Sequence, residues 1–181
     1  MQRPAAMQGC PPGLEYLSLI DRLQVKQVVS LLEAFTGWDT NNKYEIQNAA
    51  GQRVYFAAED TETCMRVCCK QGRGFTINII DNLNQVVMKM RRDFKCCACS
   101  CSCFACCDCC AHEVIVEAPA GNIIGYVKQQ WSFWKASYDI LDENHQTLLK
   151  IKGPCCIFDG PLSCCCDNKF NVNSFIFTLA I

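Results

Sequence analysis

Short segments of alternating apolar and polar residues recur along the chain, each followed by a polar turn and a second apolar segment. Tyr44-Glu45-Ile46-Gln47 runs into Asn48-Ala49-Ala50-Gly51 and then Arg53-Val54-Tyr55-Phe56. Phe75-Thr76-Ile77-Asn78-Ile79 passes through Asp81-Asn82-Leu83-Asn84 to Val86-Val87-Met88. Val114-Ile115-Val116 crosses Ala118-Pro119-Ala120-Gly121-Asn122 to Ile123-Ile124-Gly125-Tyr126-Val127, and Tyr138-Asp139-Ile140-Leu141 crosses Asp142-Glu143-Asn144-His145 to Leu148-Leu149-Lys150-Ile151. A period of two sends successive side chains to opposite faces of a strand, and Asn, Asp and Gly tolerate the backbone of a tight reversal. The pattern therefore predicts four consecutive β-hairpins. Leu23, Val25 and Val28 predict a strand ahead of them, and Pro11-Pro12-Gly13 before Leu14-Glu15-Tyr16-Leu17 predicts a short helical turn. The expected class is all-β and antiparallel, a barrel or sandwich, with Ile77, Ile79, Val116 and Ile140 facing inward.

Composition adds limits. A chain of 181 residues, half of them hydrophobic and 19% charged, buries one core and forms one domain. A net charge of −1 gives no overall attraction for nucleic acid, so any electrostatic binding is local. No apolar stretch follows the first residues as in a secretory signal, and no run reaches the ~20 apolar residues of a membrane span. The protein is accordingly expected in reducing cytosol. There is no Gly-rich phosphate loop or nucleophile elbow to suggest an enzyme. Asp39-Thr40-Asn41-Asn42-Lys43 lacks the mid-loop glycine and distal glutamate of a calcium loop and reads as a solvated turn. Trp131, Phe133 and Trp134 suit either a membrane interface or the barrel interior.

The strongest chemical signal lies between the second and third hairpins. Residues 95–110, KCCACSCSCFACCDCC, hold nine of the chain's eighteen cysteines. The tract reads as a loop insertion, a position that favours a role outside the core, whereas Cys10, Cys64 and Cys155 are ordinary core or linker thiols. Export would make the tract a disulfide framework, but a reducing compartment disfavours that. Pairs such as Cys96 with Cys99 or Cys103 with Cys106 have zinc-ligand spacing, yet so dense a tract produces such spacings by chance. S-acylation asks only for accessible thiols beside a bilayer. Phe94 and Phe104 would enter the interface, and Lys89, Arg91, Arg92 and Lys95 would meet anionic headgroups. One acyl chain holds a protein marginally and two hold it stably, so redundancy of thiols has a purpose. Zinc and acyl chains both remain open on spacing alone.

Pro11-Pro12-Gly13-Leu14-Glu15-Tyr16-Leu17, Asn42-Lys43-Tyr44-Glu45-Ile46, Gly51 through Asp60, Gly125-Tyr126-Val127 and Lys152-Gly153-Pro154-Cys155 closely resemble the phospholipid scramblase family, over residues 10 to about 172. The resemblance implies a tubby-like antiparallel β-barrel closed around a hydrophobic C-terminal helix. It also implies palmitate on Cys106, Cys107, Cys109 and Cys110, which stand where the family has Cys-Cys-Pro-Cys-Cys, with Asp108 in place of the proline. Cys96, Cys97, Cys99, Cys101 and Cys103 are further candidates.

The expected organisation is a short arm (1–10), a barrel domain (11–172) carrying the cysteine-rich loop, and a divergent hydrophobic tail (173–181). The family's proline-rich arm, which contacts signalling domains, its acidic calcium loop and its central helix have no counterpart in these residues, so the barrel is expected to be incomplete. Calcium belongs to the family's chemistry without a site here. The implied function is movement of phospholipids between leaflets at the cytoplasmic face of the plasma membrane, without bond-making catalysis. The alternative is a membrane-docked binding or adaptor module.

Overall fold

A computed structural model describes residues 9–28, 41–62, 69, 72–95, 110–132, 135–154 and 170–174. Among the described residues, ten strands form one antiparallel sheet in which every strand pairs with its neighbours in sequence. They are β1 (Leu23–Val28), β2 (Lys43–Asn48), β3 (Arg53–Asp60), β4 (Phe75–Ile80), β5 (Val86–Arg92), β6 (Glu113–Glu117), β7 (Ile123–Gln129), β8 (Ser137–Leu141), β9 (Thr147–Lys152) and β10 (Asn171–Ser174). A 3-10 turn over Glu15–Leu19 precedes them. The four hairpins, the strand ahead of them and the helical turn all fall where alternation and turn residues predict. The sheet does not close: β1 and β10 each have one neighbour among the described strands, as in a tubby-like barrel left incomplete.

The hairpin turns share a construction. Asn48, Asp81 and Asp142 open their turns, and each side-chain Oδ1 accepts two backbone N–H groups, from residues two and four positions on. The fourth turn position takes positive φ in every case: 76° at Gly51, 59° at Asn84, 95° at Gly121 and 59° at His145. A turn followed by one left-handed residue adds a residue to one strand, and a register shift follows at Ile46/Gln47, Ile79/Ile80, Val116/Glu117 and Ile140/Leu141. His145 holds its strained conformation while stacked on Tyr126, ring centroids 4.3 Å apart.

Register sorts the side chains. Ala57, Ile79 and Met88 stand in one row, Ile77, Met90, Val116 and Gly125 in the next, and Val127, Ile140 and Leu149 in a third. All lie on one apolar face, as expected for Ile77, Ile79, Val116 and Ile140. Of those four, only Ile79 is fully buried. The packed core sits toward the first hairpins, where Leu14 and Tyr16 of the N-terminal turn cover Tyr55, Ala57 and Ile79. Tyr16 meets Tyr55 edge to face at 6.2 Å, and the Tyr55 hydroxyl donates to the Gly13 carbonyl at 2.8 Å. Burial, followed by the charge of Glu15, raises the Tyr55 pKa well above the ordinary tyrosine range, so the phenol stays protonated.

Gly125 marks the closest approach in the later half of the sheet. A Cβ there would run into the Leu141 carbonyl oxygen of β8, and strands do not separate without losing ladder bonds. Gly125→Ala is expected to destabilise the fold by about 2 kcal/mol or more, comparable with overpacking a core. A urea-unfolding midpoint equal to that of the native chain would contradict this reading.

Candidate functional site

The cysteine tract leaves the sheet after β5 and returns at β6, and the structure describes both ends. Cys96, Cys97, Cys99, Cys101, Cys103, Phe104, Cys106, Cys107 and Cys109 lie outside the described residues. Cys110 is described and half-buried, followed by buried Ala111. Phe94, at the departing end, is 49% exposed. Arg91 and Arg92 point to opposite faces of β5. Arg91 is exposed and pairs with Asp93 at 3.5 Å.

Arg92 turns to the apolar face, where it caps the row of Met88 and Met90. Its guanidinium lies 4.5 Å from the centre of the Phe75 ring. It donates to the Arg73 carbonyl through Nε at 3.2 Å and Nη2 at 2.9 Å. The Lys95 amide reaches back to the Gly72 carbonyl at 3.0 Å, fastening the segment before β4 to the foot of the tract. Gly74 makes this crossing possible, because a Cβ there would stand 3.1 Å from the Phe94 nitrogen and 3.2 Å from the Arg92 carbonyl oxygen.

Behind Arg73 lies a buried carboxylate that alternation alone places on the same face: Glu59 follows Tyr55 and Ala57 at a spacing of two. Its side chain is 4% exposed and meets Arg73 Nη2 at 3.0 Å. Asn42 Nδ2 and the Thr61 hydroxyl, at 2.8 Å, also donate to it. Asn42, expected in a solvated turn, thus belongs to an internal network, and its Oδ1 accepts from Gln27 Nε2 at 3.0 Å. Burial pushes the Glu59 pKa up, but the hydrogen bonds of Asn42, Thr61 and Arg73 and the charge of Arg73 outweigh that and hold it below the ordinary glutamate range.

The folded carboxyl therefore holds its proton less tightly than the unfolded one. Its stabilising contribution is complete above the unfolded pKa and is lost as pH falls through the lower folded value. Arg73→Met leaves the carboxylate buried without its cation and is expected to cost about 2–4 kcal/mol at neutral pH. The deficit should narrow in acid, where Glu59 protonates in both proteins. Equal urea midpoints at neutral pH for variant and native chain would refute this role.

On β6's side, the His112 amide donates to Gln129 Oε1 at 3.2 Å, and the His112 carbonyl accepts the Gln129 amide at 2.7 Å. Burial, then the positive charges of Arg92 and Lys95, lower the His112 pKa, so the imidazole is neutral at neutral pH. Arg92 is itself lowered by burial and by the neighbouring charge of Arg73. Among the described residues, three buried side-chain atoms find no hydrogen-bond partner: Arg73 Nε, His112 Nδ1 and Asp139 Oδ1. Among the described residues, no group of three His, Cys, Asp or Glu side chains is placed to hold a metal ion, and no helix is long and apolar enough to cross a membrane.

The protein is thus an all-β antiparallel meander with a cysteine tract between its fifth and sixth strands, a basic cluster at the tract's foot and an apolar face beside it. The sequence pattern of the Scramblase family matches residues 1–176. Over 174 residues, 96% of this chain, it is 47% identical to phospholipid scramblase 1 of Homo sapiens, of which that stretch is 52%. Identity to phospholipid scramblase 2 of Bos taurus is 44% over 174 residues, covering 96% of this chain and 56% of the bovine protein. Phospholipid scramblase 4 of Homo sapiens is 36% identical over 174 residues, with 96% and 50% covered. The chain spans about half the length of the relatives it matches. No solved structure matches it. The chain belongs to the scramblase family.

Proposed function

We propose that this protein docks on the cytosolic leaflet of the plasma membrane through palmitate on the cysteine tract and mediates or supports the movement of phospholipids between leaflets, without bond-making catalysis. Family membership carries the reading. The exposed Phe94 and Arg91 at the departing end of the tract support it, since an aromatic ring and cations beside acylated thiols suit the membrane interface. Cys106, Cys107, Cys109 and Cys110 are the first candidates for acylation, with Cys96, Cys97, Cys99, Cys101 and Cys103 as reserves. Phospholipids are the partners of this reading; nucleic acid and the signalling domains that bind proline-rich arms are not. A half-buried apolar face on an unclosed sheet favours a second reading, in which the docked sheet binds another molecule and moves no lipid.

Reconstitution into vesicles carrying labelled phospholipid tests the proposal. The 181-residue chain is expected to bind and to give slow exchange that calcium does not stimulate, because hard cations need several converging oxygen ligands and no stretch of this sequence reads as a calcium loop. Binding with exchange equal to protein-free vesicles would replace transport by the adaptor reading. Calcium-stimulated exchange would overturn the calcium-independent account.

A further inference from the structure

We infer that the end of the sheet from which the cysteine tract emerges is a membrane-contact rim, in which Trp131 and Phe170 seat among lipid headgroups and Lys135 and Lys152 meet anionic lipid. The inference deepens the lipid-docking reading and rests on it for the partner, a phospholipid leaflet, but it needs no acyl chain.

In an up-and-down sheet, successive connections alternate between the two ends. The four hairpin turns lie at one end, and the β5–β6, β7–β8 and β9–β10 connections lie at the other. Exposed apolar side chains sort by type between these ends. Leu83, Val86, Ile123, Ile124 and Leu148, all aliphatic, stand at the hairpin turns. Among the described residues three Phe, Tyr or Trp side chains are exposed: Phe94 at 49%, Trp131 at 60% and Phe170 at 45%. Each takes one connection at the tract's end. Aromatic rings favour the membrane–water boundary, where one side is apolar and the other wet.

Register fixes two of the rings at one level. The Gln130 amide donates to the Ser137 carbonyl at 2.8 Å, Ser137 pairs with Lys152, and Lys152 pairs with Asn171. One position further out, the same four segments carry Trp131, Ala136, Gly153 and Phe170, and the Gly153 amide donates to the Ala136 carbonyl at 2.7 Å. Ala136 and Gly153 are small and buried. Phe170 leans over them: a Cβ on Gly153 would stand 2.7 Å from its ring. Trp131 and Phe170 thus flank two small residues across three strand spacings, about 14 Å of backbone. Cys110 belongs to the same edge. The Gln129 amide bonds the His112 carbonyl at 2.7 Å, and Trp131 and Cys110 each lie two residues outward from that pair.

Charge has the same polarity. Lys135 and Lys152 are exposed at the rim, and among the described residues of β7 to β10 no carboxylate is exposed at that end, Asp139 being buried. The hairpin turns of those strands carry Glu117, Asp142 and Glu143 and no Lys or Arg. Asp93, beside Phe94, pairs with Arg91. Exposed Asp60 and Glu62, around the β3–β4 connection, stand four strands from β7 in the sheet order. The later strands therefore present the end that an anionic leaflet attracts.

The test uses the non-acylated 181-residue protein and co-sedimentation with phosphatidylcholine vesicles, with and without phosphatidylserine. Binding is expected with phosphatidylserine and should fall as salt rises. Trp131→Ala should weaken it about tenfold or more, because the exposed part of an indole is a large apolar area to lose from the interface. Trp131→Phe should restore most of the binding. Lys135→Gln and Lys152→Gln should each weaken it about fivefold. Phe170→Leu, which keeps the place over Gly153 filled, should weaken it by less than Trp131→Ala does. Arg53→Gln and Leu148→Ala, at the hairpin-turn end, should change it less than about twofold. A quencher carried at the lipid headgroup should dim the emission that Trp131→Phe removes more than one carried at the acyl-chain end. No binding to phosphatidylserine vesicles, or equal losses from Arg53→Gln and Lys135→Gln, overturns the rim. A Trp131-dependent dimer in ultracentrifugation without lipid, in place of vesicle binding, also overturns it and gives the surface to a second copy. Absence of palmitate from the cellular protein would remove acyl docking and leave all of these measurements unchanged.

Discussion

Replacing Cys106, Cys107, Cys109 and Cys110 together with Ala should move the protein from the membrane to the soluble fraction of cells, cutting the bound share by about tenfold or more. Each buried CH₂ of an acyl chain contributes ~0.8 kcal/mol, yet one chain binds only marginally and two are needed for stable anchoring. Loss of the four leading sites takes a doubly acylated protein below that threshold unless the upstream thiols compensate. Lys95, Arg91 and Phe94 would remain, but surface charge at ~1 kcal/mol per residue and one exposed ring do not replace two chains. Metabolic labelling with palmitate reads the same change at the thiols. Labelling that survives the substitution transfers the sites to Cys96, Cys97, Cys99, Cys101 and Cys103, whereas unchanged membrane binding without label would remove acyl chains from the account.

Concentration-dependent association of the purified chain is the second large effect expected. β1 is exposed along its whole length, with Val25 64% exposed and Leu23 and Val28 each 43%, and it has a partner on one side only among the described strands. An open strand edge with apolar side chains is a template for another chain. Val172 on β10, at 56% exposure, presents the same hazard at the opposite edge. Val25→Lys places a charge on that edge and should raise the concentration at which association begins severalfold, without lowering the unfolding midpoint. Sharp, cooperative unfolding from a clean monomer at all concentrations would contradict this.

The hairpins were legible because alternation, turn residues and spacing all point the same way. Asn48, Asp81 and Asp142 announce their turns through side chains that cap the local backbone, and Ile79 and Met88 follow from a period of two. The polar cluster was less so. Glu59 and Arg92 are in phase with Ala57 and Met90, a signal that two charged residues occupy the apolar face, but phase alone does not say that Arg73, fourteen residues from Glu59, closes the pair. Gly125 was visible as part of a family motif, while its cause, the Leu141 carbonyl of the next strand, is a fact of tertiary packing. Nor does sequence tell Arg91 from Arg92: one pairs with Asp93 in solvent and the other stacks on Phe75. The chemistry of the cysteine tract follows from resemblance, since its spacing suits zinc and acyl chains alike.

Intact-mass spectrometry of the protein extracted from cell membranes, before and after hydroxylamine, tests the central claim most directly. The account predicts two or more palmitoyl increments on peptides spanning residues 95–110, removed by hydroxylamine because they are thioesters, with release of the protein from the membrane in step. An unmodified mass on membrane-bound protein, or tightly held zinc on the same cysteines, would contradict it.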